Sequence, residues 1–290
     1  LSFFFDAHLD FFEEIAKFRA ARRIWARWMR DRYGATTSKA QSLRFHTQTA
    51  GVSLTAQQPY NNVVRTAVEA LAAVLSGTNS LHTNALDETL ALPTEESAEI
   101  ALRTQQVLAE ETGVINVADP LGGSWYVEAL TDKIESEVVA ILDRIEELGG
   151  GSTQTHEIGP MTSGLLLGIE EGWFTAQIAD SAFRYQTQLE KGDKKIVGVN
   201  VHTGTVTKPL EILRVSHEVE VEQCATLKAR RAARDNAAVD AALAEMIKVA
   251  RTDGNMMEPM LAAARAEATL GEICNALRAE WGEYVEPARF

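Results

Sequence analysis

The chain has 290 residues, 46% hydrophobic and 24% charged, which excludes a disordered or fibrous protein and gives room for one large or two ordinary domains. Its formal net charge of −13, with no Lys/Arg stripe interleaved with aromatics, leaves no basic field to hold a phosphate backbone, so nucleic-acid binding is not expected. Cys224 and Cys274 stand far apart, without a CxxC or a neighbouring His pair, which argues against a disulfide framework or a thiolate zinc site and points to a reducing cytoplasm. The longest apolar runs fall short of a membrane span, and Leu1 opens into LSFFFDAH without a basic n-region. Neither a membrane association nor a signal peptide is therefore expected, and the numbered chain is expected to begin inside a domain.

Three strand-like runs alternate with periodic helices over the first 125 residues. LSFFFD precedes FFEEIAKFRAARRIWARWMRDRYG, where Ile15, Phe18, Ala21, Ile24 and Trp28 keep helical spacing up to Gly34. SLRFHTQT leads through a loop to NNVVRTAVEALAAVLSG, and SLHTNALD leads to EESAEIALRTQQVLAEETG, opened by Pro93 and Thr94. Such β-α-β-α-β-α alternation implies parallel strands with crossover helices, hence a doubly wound sheet or a (β/α)8 barrel. After ADPLGGSWYVE the pattern turns helical: LTDKIESEVVAILDRIEELGGG, an irregular stretch to Pro160, and MTSGLLLGIEEGWFTAQIADSAFRYQTQLEKG. A short strand KIVGVNV, a long charged helix from near Val219 and a helical pair from about Met256 to Trp281 complete the reading, with a domain boundary near 125 to 150.

Side chains alternate along a strand, so Ser2, Phe4, Asp6 and His8 share one face, Arg44, His46 and Gln48 another, and Ser80, His82 and Asn84 a third. In a parallel barrel the outward face packs on helices, which turns these polar sets inward. Barrels ordinarily fill that interior with branched aliphatics; this one would have a hydrogen-bonding lumen. Two plainer readings stand beside it. The polar groups satisfy one another and buried water, or His46, His82 and Asp6 or Glu88 form a zinc site, although the helix-spaced His pair of familiar hydrolases is missing. No GxSxG turn presents a nucleophilic Ser.

GVSLTAQQPYNN, residues 51 to 62, concentrates amides and hydroxyls just after a strand, where barrels build sites; Asn61 or Asn62 also suits a helix N-cap. Asp87 and Glu88 follow the third strand and suit an acid/base pair or a carboxylate for a hydroxyl-rich ligand. ADPLGGSWYVE lacks GxGxxG or Walker spacing and reads as a structural turn, and LKARRAARD, residues 227 to 235, as a solvated helix face.

The blocks LSFFFDAHLDFFEEIAKFRAARRIWA, LRFHTQTAGVSLTAQQPYNNVVRTAVEALAAVLSGTNSLHTNALDE, ADPLGGSWYVEALT, VGVN and ATLGEICNALRAEWGEYVEP resemble the large subunit of adenosylcobalamin-dependent acyl-CoA mutases, the methylmalonyl-CoA and isobutyryl-CoA mutase family. The resemblance covers essentially the whole chain to Phe290. It implies a (β/α)8 barrel with a polar lumen threaded by coenzyme A, whose last three strands lie in residues 1–125, followed at 126–290 by a mainly helical linker toward a cobalamin-binding domain or subunit. The implied reaction is a radical carbon-skeleton rearrangement of an acyl-CoA, (R)-methylmalonyl-CoA to succinyl-CoA before the isobutyryl-CoA or 2-hydroxyisobutyryl-CoA alternatives. The cofactor carries the radical chemistry and the protein supplies positioning.

Position by position, the resemblance makes Ser2, Arg44, His46, Gln48, Asn79 and His82 substrate-binding, with His46 and Gln48 acting in catalysis. Gln48, Gly51, Glu88, Thr89 and Leu92 fall against the corrin or adenosine, with Glu88 suited to ribose hydroxyls. It also implies a separate small cobalamin-binding subunit, a G-protein chaperone, and a dimer or heterotetramer. The cobalt-ligating DxHxxG signature is absent, and His156, in TQTHEIG, is not its equivalent, so the cobalt ligand is expected from elsewhere and no metal ligand is assigned in this chain. Residues that choose the acyl group are expected upstream of Leu1. A competing reading of another class is a non-catalytic, mutase-like assembly module. An open three-strand fragment would expose unpaired edges, so further strands are expected in the complete molecule.

Overall fold

The computed structural model describes residues 1–150, 158–204 and 209–285. It divides into two compact units, Leu1–Arg214 and Val215–Ala288. The first is an α/β unit built on three parallel strands, β1 (Phe3–Ala7), β2 (Phe45–Thr49) and β3 (Ser80–His82), in the order β1-β2-β3. Helices α1 (Phe11–Asp31), a short α2 (Ser38–Gln41) and α3 (Asn61–Leu75) make the crossovers, and α4 (Glu95–Glu111) follows β3.

One face of the sheet is covered. Phe18 of α1 stacks on Phe45 at 5.2 Å between ring centroids, and Phe5 meets both rings edge-on at 5.4 and 5.7 Å. Ala7, Leu43 and Ala73 complete this cluster, and Ile15, Ala72 and Val127 form a second. Alanines on α3 bring the helix backbone close to the strands, and Gly77, at φ +81°, ends it in a conformation that side chains rarely adopt. The α1 helix starts on Asp10, whose carboxylate accepts the Glu13 N–H.

The change from alternating to helical character at residue 126 is not a gap in the packing. Helix α5 (Trp125–Gly150) lies along α1, and Arg19, Arg23, Arg27 and Arg32 pair with Asp119, Glu128, Asp132, Glu135 and Glu146. Helix α6 (Pro160–Glu170) crosses α5 at bare backbone: a Cβ on Gly164 would sit 1.8 Å from the Ile145 carbonyl oxygen. Gly172, at φ +69°, separates α6 from α7 (Trp173–Lys191), so the MTSGLLLGIEEGWFTAQIADSAFRYQTQLEKG run holds two helices joined at a glycine turn.

The KIVGVNV segment is a closed turn rather than a strand. Asn200 takes its backbone bonds, accepting from the Ile196 N–H at 2.7 Å and donating to the Lys194 and Leu189 carbonyls. Only a bridge between Val197 and Val201 remains of β structure. The second unit is helical: α8 (His217–Ala233), α9 (Asn236–Ala250), α10 (Met257–Arg265) and α11 (Leu270–Trp281). The expected long charged helix therefore breaks at Arg234 and Asp235, where Asp235 caps α9. LKARRAARD is largely exposed, but Arg234 is not solvated. It forms a bidentate pair with Glu272 at 2.6 and 2.7 Å, and this pairing holds the Glu272 carboxyl far below the usual range. Among the described residues no helix is long and apolar enough to cross a membrane.

Candidate functional site

The register places the polar sets in rows. Phe4, His46 and Ser80 are lateral partners, and so are Asp6, Gln48 and His82. All six lie on the uncovered face, where Phe4 is 59% exposed while Phe45, Thr47 and Thr49 beneath are buried. The expected face partition is thus present from Phe4 to His82. Ser2 and Arg44 stand exposed just before their strands.

His46 is fixed on two sides. Its Nδ1 lies 2.7 Å from the Ser80 hydroxyl, and its ring tilts against Phe4 at 5.1 Å. With Ser80 donating to Nδ1, the Nε2–H becomes the donor offered above the sheet. Asn79 is tied to the β2 backbone: its side-chain oxygen accepts the Phe45 N–H at 3.0 Å.

Asn84 departs from the expected row. The strand ends at His82, and Asn84 turns inward at 2% exposure with neither side-chain polar atom hydrogen-bonded. Its own N–H donates to the Thr49 hydroxyl at 2.9 Å, which locks the two strand ends together. Gly51 lies against it. A Cβ there would stand 3.0 Å from Asn84 Nδ2 and 3.6 Å from Glu88 Cγ, so Gly51, Asn84 and Glu88 meet at the strand C-termini. Glu88, Thr89 and Leu92 are exposed on the following turns, as is Val52 beside Gly51.

Asp87 and Glu88 are not an acid/base pair. Asp87 is fully buried and organises the start of α4, accepting from the Thr94 N–H at 3.0 Å and the Ser97 hydroxyl at 2.6 Å. Nor is Asn61 or Asn62 the cap of α3. The Asn62 side chain joins two loops, donating to the Thr55 and Leu86 carbonyls at 2.9 Å and accepting the Thr55 N–H at 3.0 Å. Among the described residues no group of three His, Cys, Asp or Glu side chains is arranged to hold a metal, which leaves the zinc alternative without a ligand set. His156 lies outside the described residues.

A polar stripe on α3 is the feature missed from sequence. Asn62, Arg65, Thr66 and Glu69 recur at helical spacing and are all buried. That spacing on an Ala-rich helix was the available signal. Burial pushes the Glu69 carboxyl up to about 8, against an opposing influence of Ser53 and Arg65 and with added repulsion from Glu14 and Asp6. Both its oxygens are buried without a hydrogen-bond partner, so Ser53 acts on it without reaching bonding geometry.

Comparison with known proteins matches residues 1–283 to the methylmalonyl-CoA mutase family model. The chain is 43% identical over 293 residues to the 2-hydroxyisobutanoyl-CoA mutase large subunit of Aquincola tertiaricarbonis, covering 100% of this chain and 50% of that protein. It is 45% identical over 285 residues to the methylmalonyl-CoA mutase of Cereibacter sphaeroides, covering 98% and 38%. It is 40% identical over 286 residues to the mitochondrial methylmalonyl-CoA mutase of Homo sapiens, covering 98% and 36%. The chain thus spans half or less of these relatives, and nearly all of it is matched. On this ground, with the polar rows and the Gly51 cradle in place, the chain belongs to the methylmalonyl-CoA mutase family.

Proposed function

We propose that this chain is the acyl-CoA-binding portion of an adenosylcobalamin-dependent mutase large subunit, acting on (R)-methylmalonyl-CoA to give succinyl-CoA. The single observation that carries the reading is the pair of in-register rows, Phe4-His46-Ser80 and Asp6-Gln48-His82, held open on one face of a parallel sheet. Large polar groups laid out without a covering layer suit a polar ligand. Barrel closure fits the edges. Among the described residues β1 and β3 each pair on one side alone, and an apolar groove of about 420 Å3 lined by Phe3, Phe5, Trp25, Trp28 and Leu43 flanks β1. Residues 1–125 then supply three barrel strands, and 126–290 the extension toward the cobalamin-binding subunit.

The residues present fit the cofactor. Gly51 offers bare backbone, Val52 and Leu92 offer exposed apolar surface, the buried Asn84 amide lacks partners, and the exposed Glu88 carboxylate is suited to accept from ribose hydroxyls. Adenosylcobalamin, if bound beside these residues, would supply radical chemistry. The chain's own residues bind and orient. His46, braced by Ser80 and Phe4, offers one N–H donor; Gln48 offers a neutral amide in the next row; Ser2, Arg44, Asn79 and His82 stand around them. Hydrogen-bond donors placed by the strand register hold and orient an acyl group, which suits a reaction whose chemistry the cofactor carries. Thr89 lies on the same turn as Glu88 and Leu92.

The relative from Aquincola tertiaricarbonis favours a second substrate class, since its name carries 2-hydroxyisobutanoyl-CoA and its large subunit matches the chain throughout. The test is to supply the full-length protein, its small subunit and adenosylcobalamin with (R)-methylmalonyl-CoA, isobutyryl-CoA and 2-hydroxyisobutyryl-CoA separately. Succinyl-CoA from the first is expected. An isomer from one of the others alone would replace the substrate assignment, and none from any would overturn the activity.

A further inference from the structure

We infer that the turn at residues 196–202 is a strap that sets the conformation of the site loop 51–60, with Arg65 and Gln58 as positioning residues acting through it. This rests on the proposed function only for its effect on ligand binding. The strap is rigid in itself: Asn200 bonds its backbone at both ends, and the Gly198 N–H donates to the Val201 carbonyl at 2.8 Å. Those bonds leave the Val197 and His202 carbonyls facing out, and the strap is held through these two.

Arg65 is 8% exposed and has no carboxylate partner among its hydrogen bonds. Its guanidinium donates to the Thr55 hydroxyl at 2.9 Å, to Asn62 Oδ1 at 2.8 Å and to the Val197 carbonyl at 2.8 Å. A buried cation satisfied wholly by neutral acceptors is worth keeping only if those acceptors stay in place. One of them belongs to the strap, and the others fix the loop after β2. Gln58 makes the second tie, donating from Nε2 to the His202 carbonyl at 2.8 Å. Its backbone stands at φ +51°, an unfavourable conformation for a side-chain-bearing residue. Gly198, at φ +85°, lies close to this residue: an added Cβ would come 3.1 Å from Gln58 Cδ and 3.4 Å from the Gln57 carbonyl oxygen.

The strap therefore closes a chain of contacts that ends at the site. It runs from Val197 through Arg65 to Thr55 and Asn62, and from Asn62 to the Leu86 carbonyl in the loop that carries Glu88. Both loops that bear cofactor-facing candidates, Gly51 and Glu88, are reached by one network anchored outside the strands.

The test uses the full-length protein and hydrogen exchange, which does not require activity. Gly198→Ala, Arg65→Met and the milder Gln58→Ala are compared with the parent protein, with adenosylcobalamin affinity measured alongside. Amides of 51–60 and 84–92 are expected to exchange about tenfold faster in Arg65→Met and Gly198→Ala, with a smaller rise in Gln58→Ala, while β1 and β2 stay protected. Adenosylcobalamin binding is expected to weaken in the same order, and Arg65→Lys to recover part of both. Unchanged loop exchange in Gly198→Ala and Gln58→Ala, or an equal rise across the strands, would overturn the strap. Inactivity of the parent protein would fail the proposed function while leaving the exchange comparison valid.

Discussion

The two faces of the same three strands obey opposite rules. Toward α1 and α3 the residues are Phe3, Phe5 and Ala7 on β1, and Phe45, Thr47 and Thr49 on β2, with aromatic rings interlocked at 5.2 to 5.7 Å. On the other side His46, Gln48, Ser80 and His82 lie in register, and of their side chains His46 and Ser80 are joined by a hydrogen bond. The covered face holds the buried aromatic cluster, and the open face carries polar groups that this packing does not use. A strand's period of two allows this separation, since each substitution touches one face only.

Three substitutions sharpen or break that contrast. Phe45→Ala removes the ring stacked on Phe18 and leaves a cavity in the covered cluster. It is expected to destabilise the full-length protein by about 3–5 kcal/mol, read by denaturant unfolding. A loss under about 1 kcal/mol would mean the covered face is not the core.

Glu69→Gln tests a polar group buried without a partner. The native carboxyl stays protonated to about 8, whereas in the unfolded chain it ionises near 4.5. The unfolded state thus releases its proton first as pH rises, so stability falls between those values. Glutamine abolishes that slope. The variant is expected to match the parent near pH 4.5 and to exceed it by about 4 kcal/mol at pH 8.5, read from melting curves at both values. A parent protein whose stability does not fall over that interval would contradict the burial. The smallest stability effect, under about 1 kcal/mol, is expected for Gln48→Leu on the open face.

Much of this was legible in the sequence, for physical reasons that name its limits. Alternating strands and helices, and the parity that unites His46, Gln48 and His82, are periodic features and need no tertiary information. An Asn at a helix start suits a cap, which makes Asn61 or Asn62 the expected cap, but Asn62 serves another role. Its actual work depends on two loops, at Thr55 and Leu86, arriving from elsewhere. KIVGVNV alternates like a strand, but Gly198 at φ +85° and the Asn200 side chain draw its backbone into a turn. Asn84 keeps strand parity in sequence, yet the strand ends two residues earlier and the side chain goes inward.

The most direct test of the division of labour pairs two measurements on one variant. Gln48→Leu in the full-length protein, supplied with the proposed small subunit and adenosylcobalamin, is assayed for kcat/KM on the proposed substrate (R)-methylmalonyl-CoA, and its unfolding is measured in parallel. The account predicts a fall in kcat/KM of about a hundredfold or more with stability changed by less than about 1 kcal/mol. Undiminished turnover, or a loss of activity matched by a loss of several kcal/mol of stability, would contradict it.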